Sequence, residues 1–233
     1  MLKNFLFFFI FFLGIVLISL LFLPSLFLPQ KIVLIGGKLM GYWASFCLKI
    51  ILSTKIEVIG KENIINGNKF FIASSHQSMF ETFYLQTIFN SPVFILKNEL
   101  LSIPVFGWYL KKIGSISIKR DTVTKDNLSF YVDIHNIIEK TDRPLIIFPQ
   151  GTRVNPEERP IFKKGVARIY EELKISCQPV AINSGHVWPK KGNKKLNGKI
   201  IISILPKIDN NLDKNQFLNK LQETIYSELD KIN

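Results

Sequence analysis

Phe70-Phe71-Ile72-Ala73-Ser74-Ser75-His76-Gln77-Ser78-Met79-Phe80-Glu81-Thr82 takes the chain out of one kind of structure and into another. Phe70 to Ala73 is apolar and β-prone, Ser74-Ser75 interrupts it, and from Met79 onward the sequence has helical character. His76 therefore falls at a strand-to-helix junction. In one continuous helix residues five apart lie about 140° from each other, so His76 and Glu81 meet only if the histidine sits in the loop and the glutamate in the first helical turn. That arrangement makes a base and its carboxylate. The same residues also read as ordinary structure, because Ser78-Met79-Phe80-Glu81 fits a capping box, with Ser78 at the N-cap and Glu81 returning to its backbone N–H. The stretch alone leaves both readings open.

Outward from it, short β-rich runs alternate with helical segments. Strands are expected at Lys55–Ile59, Phe70–Ala73, Val93–Leu96, Ile116–Ile118, Leu145–Phe148, Pro179–Ile182 and Ile200–Ile204, and helices at Met79–Phe89, Lys125–Glu139, Val166–Leu173 and Lys214–Leu229. Such alternation predicts an α/β fold with a mixed, largely buried sheet flanked by helices. The Asn and Lys clusters at 63–69 and 190–199 read as solvated turns. With 233 residues the chain suits one domain plus an appendage. The expected division is an N-terminal membrane anchor and amphipathic helix at 1–53 and one domain at 54–233.

Phe5 to Leu23 carries no charge and approaches the roughly 20 apolar residues that a helix needs to cross a bilayer. A secretory signal has a shorter apolar core and ends in small residues, which Pro24-Ser25-Leu26-Phe27-Leu28-Pro29 does not offer. A second apolar stretch, Ile32–Leu52, is interrupted by Lys38 and Lys49, which fall within about 20° of each other on a helix, with Ser45 on the same narrow face. It is expected to lie against the membrane or to complete a two-helix hairpin, the alternative being an amphipathic helix on the domain core.

Lys and Arg total 30 against 18 Asp and Glu, a net +12, and mean hydropathy is +0.20. The lysines that follow the first helix, Lys31, Lys38, Lys49 and Lys55, favour keeping the domain on the cytoplasmic side, at the inner membrane in a bacterial cell. There a basic surface meets anionic lipid head groups. No zinc-finger spacing, aromatic RNA-binding motif or helix-turn-helix supports nucleic acid as the partner. Cys47 and Cys177 lack partners at disulfide-framework or metal-ligand spacing.

Three further stretches carry candidate chemistry. Leu145-Ile146-Ile147-Phe148-Pro149-Gln150-Gly151-Thr152-Arg153 runs a buried strand into a loop suited to an anion: Gly151 exposes backbone donors, Thr152 adds a hydroxyl and Arg153 offers two parallel N–H groups to phosphate. Gly114-Ser115-Ile116-Ser117-Ile118-Lys119-Arg120-Asp121 ends a short strand in two cations. Pro179-Val180-Ala181-Ile182-Asn183-Ser184-Gly185 reads mainly as core strand, with no clear chemical group. Lys97 is a lesser candidate for a phosphate contact, and His135 and His186 read as structural.

In this order and at these spacings the four stretches resemble the blocks of the glycerophosphate acyltransferase superfamily, and specifically its lysophosphatidic acid acyltransferase branch. The blocks are His76 with Glu81, Gly114 with Arg120, Phe148-Pro149-Gln150-Gly151-Thr152-Arg153, and Pro179-Val180-Ala181. The resemblance covers nearly everything after the first helix. It implies that His76 is the general base, that Glu81 orients the imidazole and stabilises its charged form, and that Arg120, Gln150, Gly151, Thr152 and Arg153 bind the acceptor. The implied reaction moves a fatty acyl group from acyl-CoA or acyl carrier protein to the sn-2 hydroxyl of 1-acyl-glycerol-3-phosphate, making phosphatidic acid. It implies no metal and no bound organic cofactor. Alternatives are another lysophospholipid or an amine-containing lyso-lipid as acceptor, or a non-catalytic lipid-binding relative. Two departures stand out: Glu81 replaces the commoner Asp, and Gln150 replaces Glu, so an acceptor oxygen remains there without its charge.

Overall fold

The computed structural model describes residues 2–67, 69–118 and 126–233. Helices α1 (Leu2–Leu21) and α2 (Gln30–Ile51) come first, joined through a 3-10 turn at Leu23–Phe27. Strand β1 (Lys55–Ile59) follows, then β2 (Phe70–Ser74), α3 (Phe80–Ile88), β3 (Val93–Lys97), α4 (Phe106–Lys112), β4 (Ile116–Ile118) and α5 (Asp126–Lys140). The remaining elements are β5 (Leu145–Ile147), α6 (Lys164–Leu173), β6 (Ser176–Ile182), β7 (Lys199–Ile204) and α7 (Lys214–Ile232).

Among the described residues the strands form one seven-stranded sheet in the order β1-β7-β6-β2-β5-β3-β4. Its pairs are parallel except β6 with β7, which is antiparallel. The mixed, covered sheet expected from the alternation is therefore present. Side chains alternate across β2: Phe71 and Ala73 pack beneath α5, α6 and α7, while Ile72 packs with α2 and α3 on the other face. A largely parallel sheet needs both faces covered in this way, because its crossover helices lie on both sides.

The seven expected strands lie within three residues of the observed ones. The helix α4 is a finding that the pattern did not announce. At seven residues it is too short to show a helical period, and it is entered through Val105 at φ 62°. Gly107 is required there, since a Cβ would come within 2.1 Å of the Leu101 carbonyl oxygen.

The N-terminal helices form a hairpin that is fastened to the sheet. At the crossing, a Cβ on Gly14 would fall 2.0 Å from the Trp43 ring, and Trp43 Nε1 donates to the Phe11 carbonyl at 3.1 Å. Both helices are long and apolar enough to cross a membrane by length and composition. Each exposes an apolar stripe at helical spacing: Phe5, Phe9, Phe12, Val16 and Leu20 on α1, and Ile35, Leu39, Tyr42, Phe46 and Ile50 on α2. The opposite side of α2 packs on α3, and Ser45 is buried there rather than sharing a polar face with the exposed Lys49. Tertiary packing against α3 overrides the narrow polar face that helical geometry alone suggested.

Candidate active site

The order β6-β2-β5 sets three parallel strands side by side, and the loops leaving their carboxyl ends converge. In open α/β sheets such a convergence is where ligands bind. His76 leaves β2, Gln150 to Arg153 leave β5, and Ser184 leaves β6.

The backbone of His76 is held on both sides by the β5 loop. Its N–H donates to Gln150 Oε1 at 2.7 Å, and its carbonyl accepts from Val154 N–H at 2.9 Å. The imidazole lies on the Phe148 ring, with centroids 4.0 Å apart. Its Nδ1 is 3.9 Å from Glu81 Oε2, and 14% of the side chain remains exposed.

Glu81, in the first turn of α3, is wholly buried. Its Oε1 accepts from the backbone N–H of Gln77 at 2.9 Å, from that of Ser78 at 3.0 Å and from the Ser184 hydroxyl at 2.6 Å. Oε2 accepts from Ser78 N–H at 3.1 Å and faces His76. The capping box is thus half formed. Glu81 reaches back to Ser78, but the Ser78 hydroxyl accepts from Phe80 N–H, and the helix starts at Phe80 rather than immediately after Ser78. The two readings of this stretch coexist in one carboxylate. Burial lifts the Glu81 carboxyl to about 7, opposed first by the Ser184 hydroxyl and then by the backbone donors.

His76 opens into a cavity of about 850 Å³. Its lining includes Gly151, Thr152, Arg153 and Lys163, among them a hydroxyl and two cations. The rest is mostly apolar, with walls that include Val33 and Met40 of α2, Phe83 of α3, Leu96 of β3 and Tyr109 of α4. Gly151 adopts φ 73°, a left-handed turn that glycine tolerates without strain, and its N–H closes on Phe148 O at 2.9 Å.

The structure brings His76, Glu81, Gly151, Thr152 and Arg153 together. Arg120 lies outside the described residues. Gln150 is buried with its side chain on the His76 backbone and lines no part of the cavity, so it braces the base from behind. Lys97 lines the cavity and pairs with Glu99 at 3.2 Å, and His135 lies 3.5 Å from Glu139 on α5. Phe148, Lys163 and Ser184 were not singled out in sequence. A hydroxyl at the end of a buried strand, in Asn183-Ser184-Gly185, was the available signal for the last.

A model of the acyltransferase family matches residues 55–183. A 1-acyl-sn-glycerol-3-phosphate acyltransferase from Pseudomonas aeruginosa is 33% identical over 70% of this chain and 64% of its own length. One from Helicobacter pylori is 30% identical over 79% of this chain and 77% of its own, and one from Saccharomyces cerevisiae 27% identical over 85% and 69%. The crystal structure of the 1-acyl-sn-glycerophosphate acyltransferase PlsC from Thermotoga maritima superposes with a TM-score of 0.81 at 23% identity, over 99% of this chain and 95% of that one, and so shares the fold. The chain belongs to the acyltransferase family, within its 1-acyl-sn-glycerol-3-phosphate acyltransferase branch.

Proposed function

We propose that this protein transfers a fatty acyl group from a thioester, acyl-CoA or acyl carrier protein, to the sn-2 hydroxyl of 1-acyl-glycerol-3-phosphate, releasing a free thiol and phosphatidic acid. The observation that carries this reading is that His76, with Glu81 behind it, opens into a largely apolar cavity whose lining includes Arg153 and Lys163. One cavity thus offers a base, an anion site and room for acyl chains.

His76 takes the proton of the sn-2 hydroxyl as its oxygen attacks the thioester carbonyl carbon. The tetrahedral intermediate collapses with cleavage of the C–S bond, and the departing thiolate takes the proton back from the imidazolium. Glu81 steadies that transient charge and holds the ring; such a base contributes about 10²–10⁴-fold. Arg153, Thr152, Gly151 and Lys163 hold the phosphate, with Arg120 in the same role, so that the hydroxyl rather than the head group faces His76.

In this reading residues 1–53 are the anchor and 54–233 the catalytic domain, with α2 serving both because it packs on α3. The exposed stripes of α1 and α2 meet the bilayer, and the following lysines keep the domain on its cytoplasmic face. The test is thiol release by purified protein given an acyl thioester and 1-acyl-glycerol-3-phosphate. His76→Ala should abolish it. Wild-type turnover by that variant rules out the base, and equal rates on zwitterionic lysophospholipids rule out the acceptor.

A further inference from the structure

The fourth block of the sequence looked chemically empty, yet it puts a hydroxyl against the carboxylate that serves the base. Ser184 comes from a short 3-10 turn at the end of β6, 103 residues from Glu81, and neither residue is exposed. The turn is pinned to the His76 loop at two further points. Gly185 N–H donates to Gln77 Oε1 at 3.1 Å, and Ile182 N–H donates to the Ser75 hydroxyl at 2.8 Å. Gly185 has no room for a side chain, since a Cβ would meet both Gln77 and Pro156 at 2.9 Å. The hydroxyl is therefore fixed in place by the backbone on both sides of the contact.

Its contact is selective. Ser184 bonds Oε1, the oxygen that also takes the Gln77 N–H, while the Ser78 N–H reaches both oxygens and Oε2 faces the imidazole. We propose that Ser184 is a positioning residue for acyl transfer, whose hydroxyl saturates one oxygen of Glu81 so that the other stays turned toward His76. It also answers a difficulty of a glutamate in this place. The side chain is one methylene longer than aspartate, and the Ser184 hydroxyl adds a donor from β6 to the Gln77 and Ser78 N–H groups that hold it. This inference rests on the acyl-transfer reading for the role of His76, while the contact itself does not.

The sign of the effect follows from the donors. Removing a hydrogen bond from an ionised carboxylate favours its protonation, so the neutral imidazole beside an ionised Glu81, the state competent as base, requires higher pH. His76 is the titratable partner facing this carboxylate from the β2 loop; β6 and its turn contribute the Ser184 hydroxyl, and the loop before α3 contributes the Gln77 and Ser78 backbone donors. Once Glu81 holds the proton, the imidazolium loses its counter-charge and the His76 ring titrates lower.

The experiment compares Ser184→Ala and Ser184→Thr with wild type in two measurements. In the first, the acid limb of kcat/KM for thiol release should move up by roughly one pH unit in Ser184→Ala, with kcat at pH 7 down about tenfold and KM little changed. Ser184→Thr, which keeps the hydroxyl, should restore most of both. In the second, the histidine ring NMR titration of His76, assigned by its loss in His76→Ala, should shift to lower pH in Ser184→Ala. A uniform activity loss with an unmoved acid limb, or a His76 titration identical to wild type, overturns the proposal. If wild type turns over no lysophosphatidate, the acceptor reading fails and the NMR titration still decides Ser184. Should Ser184→Ala not fold, Ser184→Cys, a near-isosteric weak donor, is read by the same two measurements.

Discussion

The imidazole of His76 stacks on the Phe148 ring, with centroids 4.0 Å apart and planes 18° from parallel. The two rings come from loops at the ends of adjacent strands, β2 and β5, so the register of the sheet fixes the plane of the base. Rotation about the outer bond of His76 is opposed by Phe148 on one face, while Glu81 Oε2 lies 3.9 Å from Nδ1 at the edge. Aromatic pairs contribute about 0.5–1.5 kcal/mol beyond their burial, and a tenfold rate change corresponds to about 1.4 kcal/mol. Phe148→Ala should therefore lower kcat about tenfold with a smaller change in acceptor KM, and Phe148→Tyr should retain most activity. Steady-state kinetics on both variants checks this; an unchanged kcat in Phe148→Ala means the stack does not aim the base.

How much of this was legible in sequence depends on how far apart the interacting groups lie along the chain. The β2–α3 stretch showed that His76 and Glu81 could meet, because they are five residues apart across a readable change of period, but the choice between a catalytic pair and a capping box came from the resemblance of all four blocks. Gly151, Thr152 and Arg153 were legible for the same reason. The Ser184 contact crosses 103 residues and follows from strand order, which no local pattern encodes. The cavity walls are drawn from α2, α3, β3 and α4, elements whose apolar residues look alike whether they fill a core or line a cavity. The family resemblance implied that Gln150 binds the acceptor, while the structure turns it inward onto the His76 backbone.

Glu81 sets a second measurable property. Its carboxyl is lifted from the usual 4.5 to about 7 by burial. The folded protein then binds more protons than the unfolded chain between those values, so this group costs stability as pH rises from about 4.5 to 7, and the cost is complete above 7. Glu81→Gln removes the charge and the penalty but also the counter-ion of His76. The melting temperature of the variant relative to wild type should therefore climb from pH 5 to pH 8, while kcat falls by about 10²–10⁴ at pH 8 and by progressively less toward pH 5, where wild-type Glu81 takes up its own proton. Melting curves and rates across pH decide both; a flat difference in melting temperature means that Glu81 stays ionised through the range in the folded protein. In wild type the same titration of Glu81 should make kcat/KM decline as pH falls below about 7.

Arg153 and Lys163 line the same cavity as His76, and Arg153 is held from behind by Lys190, whose Nζ donates to the Arg153 carbonyl at 3.1 Å. A guanidinium can make two parallel bonds to a phosphate, which an ammonium cannot reproduce. Arg153→Ala should raise KM for a phosphorylated acceptor by about tenfold or more, since a hydrogen bond to a charged group contributes about 1.5–3 kcal/mol. Arg153→Lys should recover part of the loss. A monoacylglycerol without phosphate serves as the control, because its KM should not respond to either change. If both acceptors weaken alike, Arg153 supports the loop rather than the phosphate.

The two sides of α1 should fail in different ways when they are damaged. Phe11 is fully buried, edge-on to Trp188 at 5.0 Å and to Phe83 at 5.6 Å. Phe7 meets the same Trp188 ring, and Asn4 accepts from Lys194 N–H at 2.6 Å, so one face of the helix is part of the folded domain. Trp188 follows the turn that carries Ser184, and Phe83 lines the cavity, so undocking α1 disturbs the site directly. Phe11→Ala should cost about 3–5 kcal/mol and lower activity even in detergent. Phe9 and Phe12 are exposed, so replacing both with Ser should leave the detergent melting temperature and turnover unchanged and weaken binding to anionic vesicles. Melting in detergent and vesicle flotation separate the two outcomes. Equal destabilisation in detergent by both variants would mean that α1 has no free face for lipid.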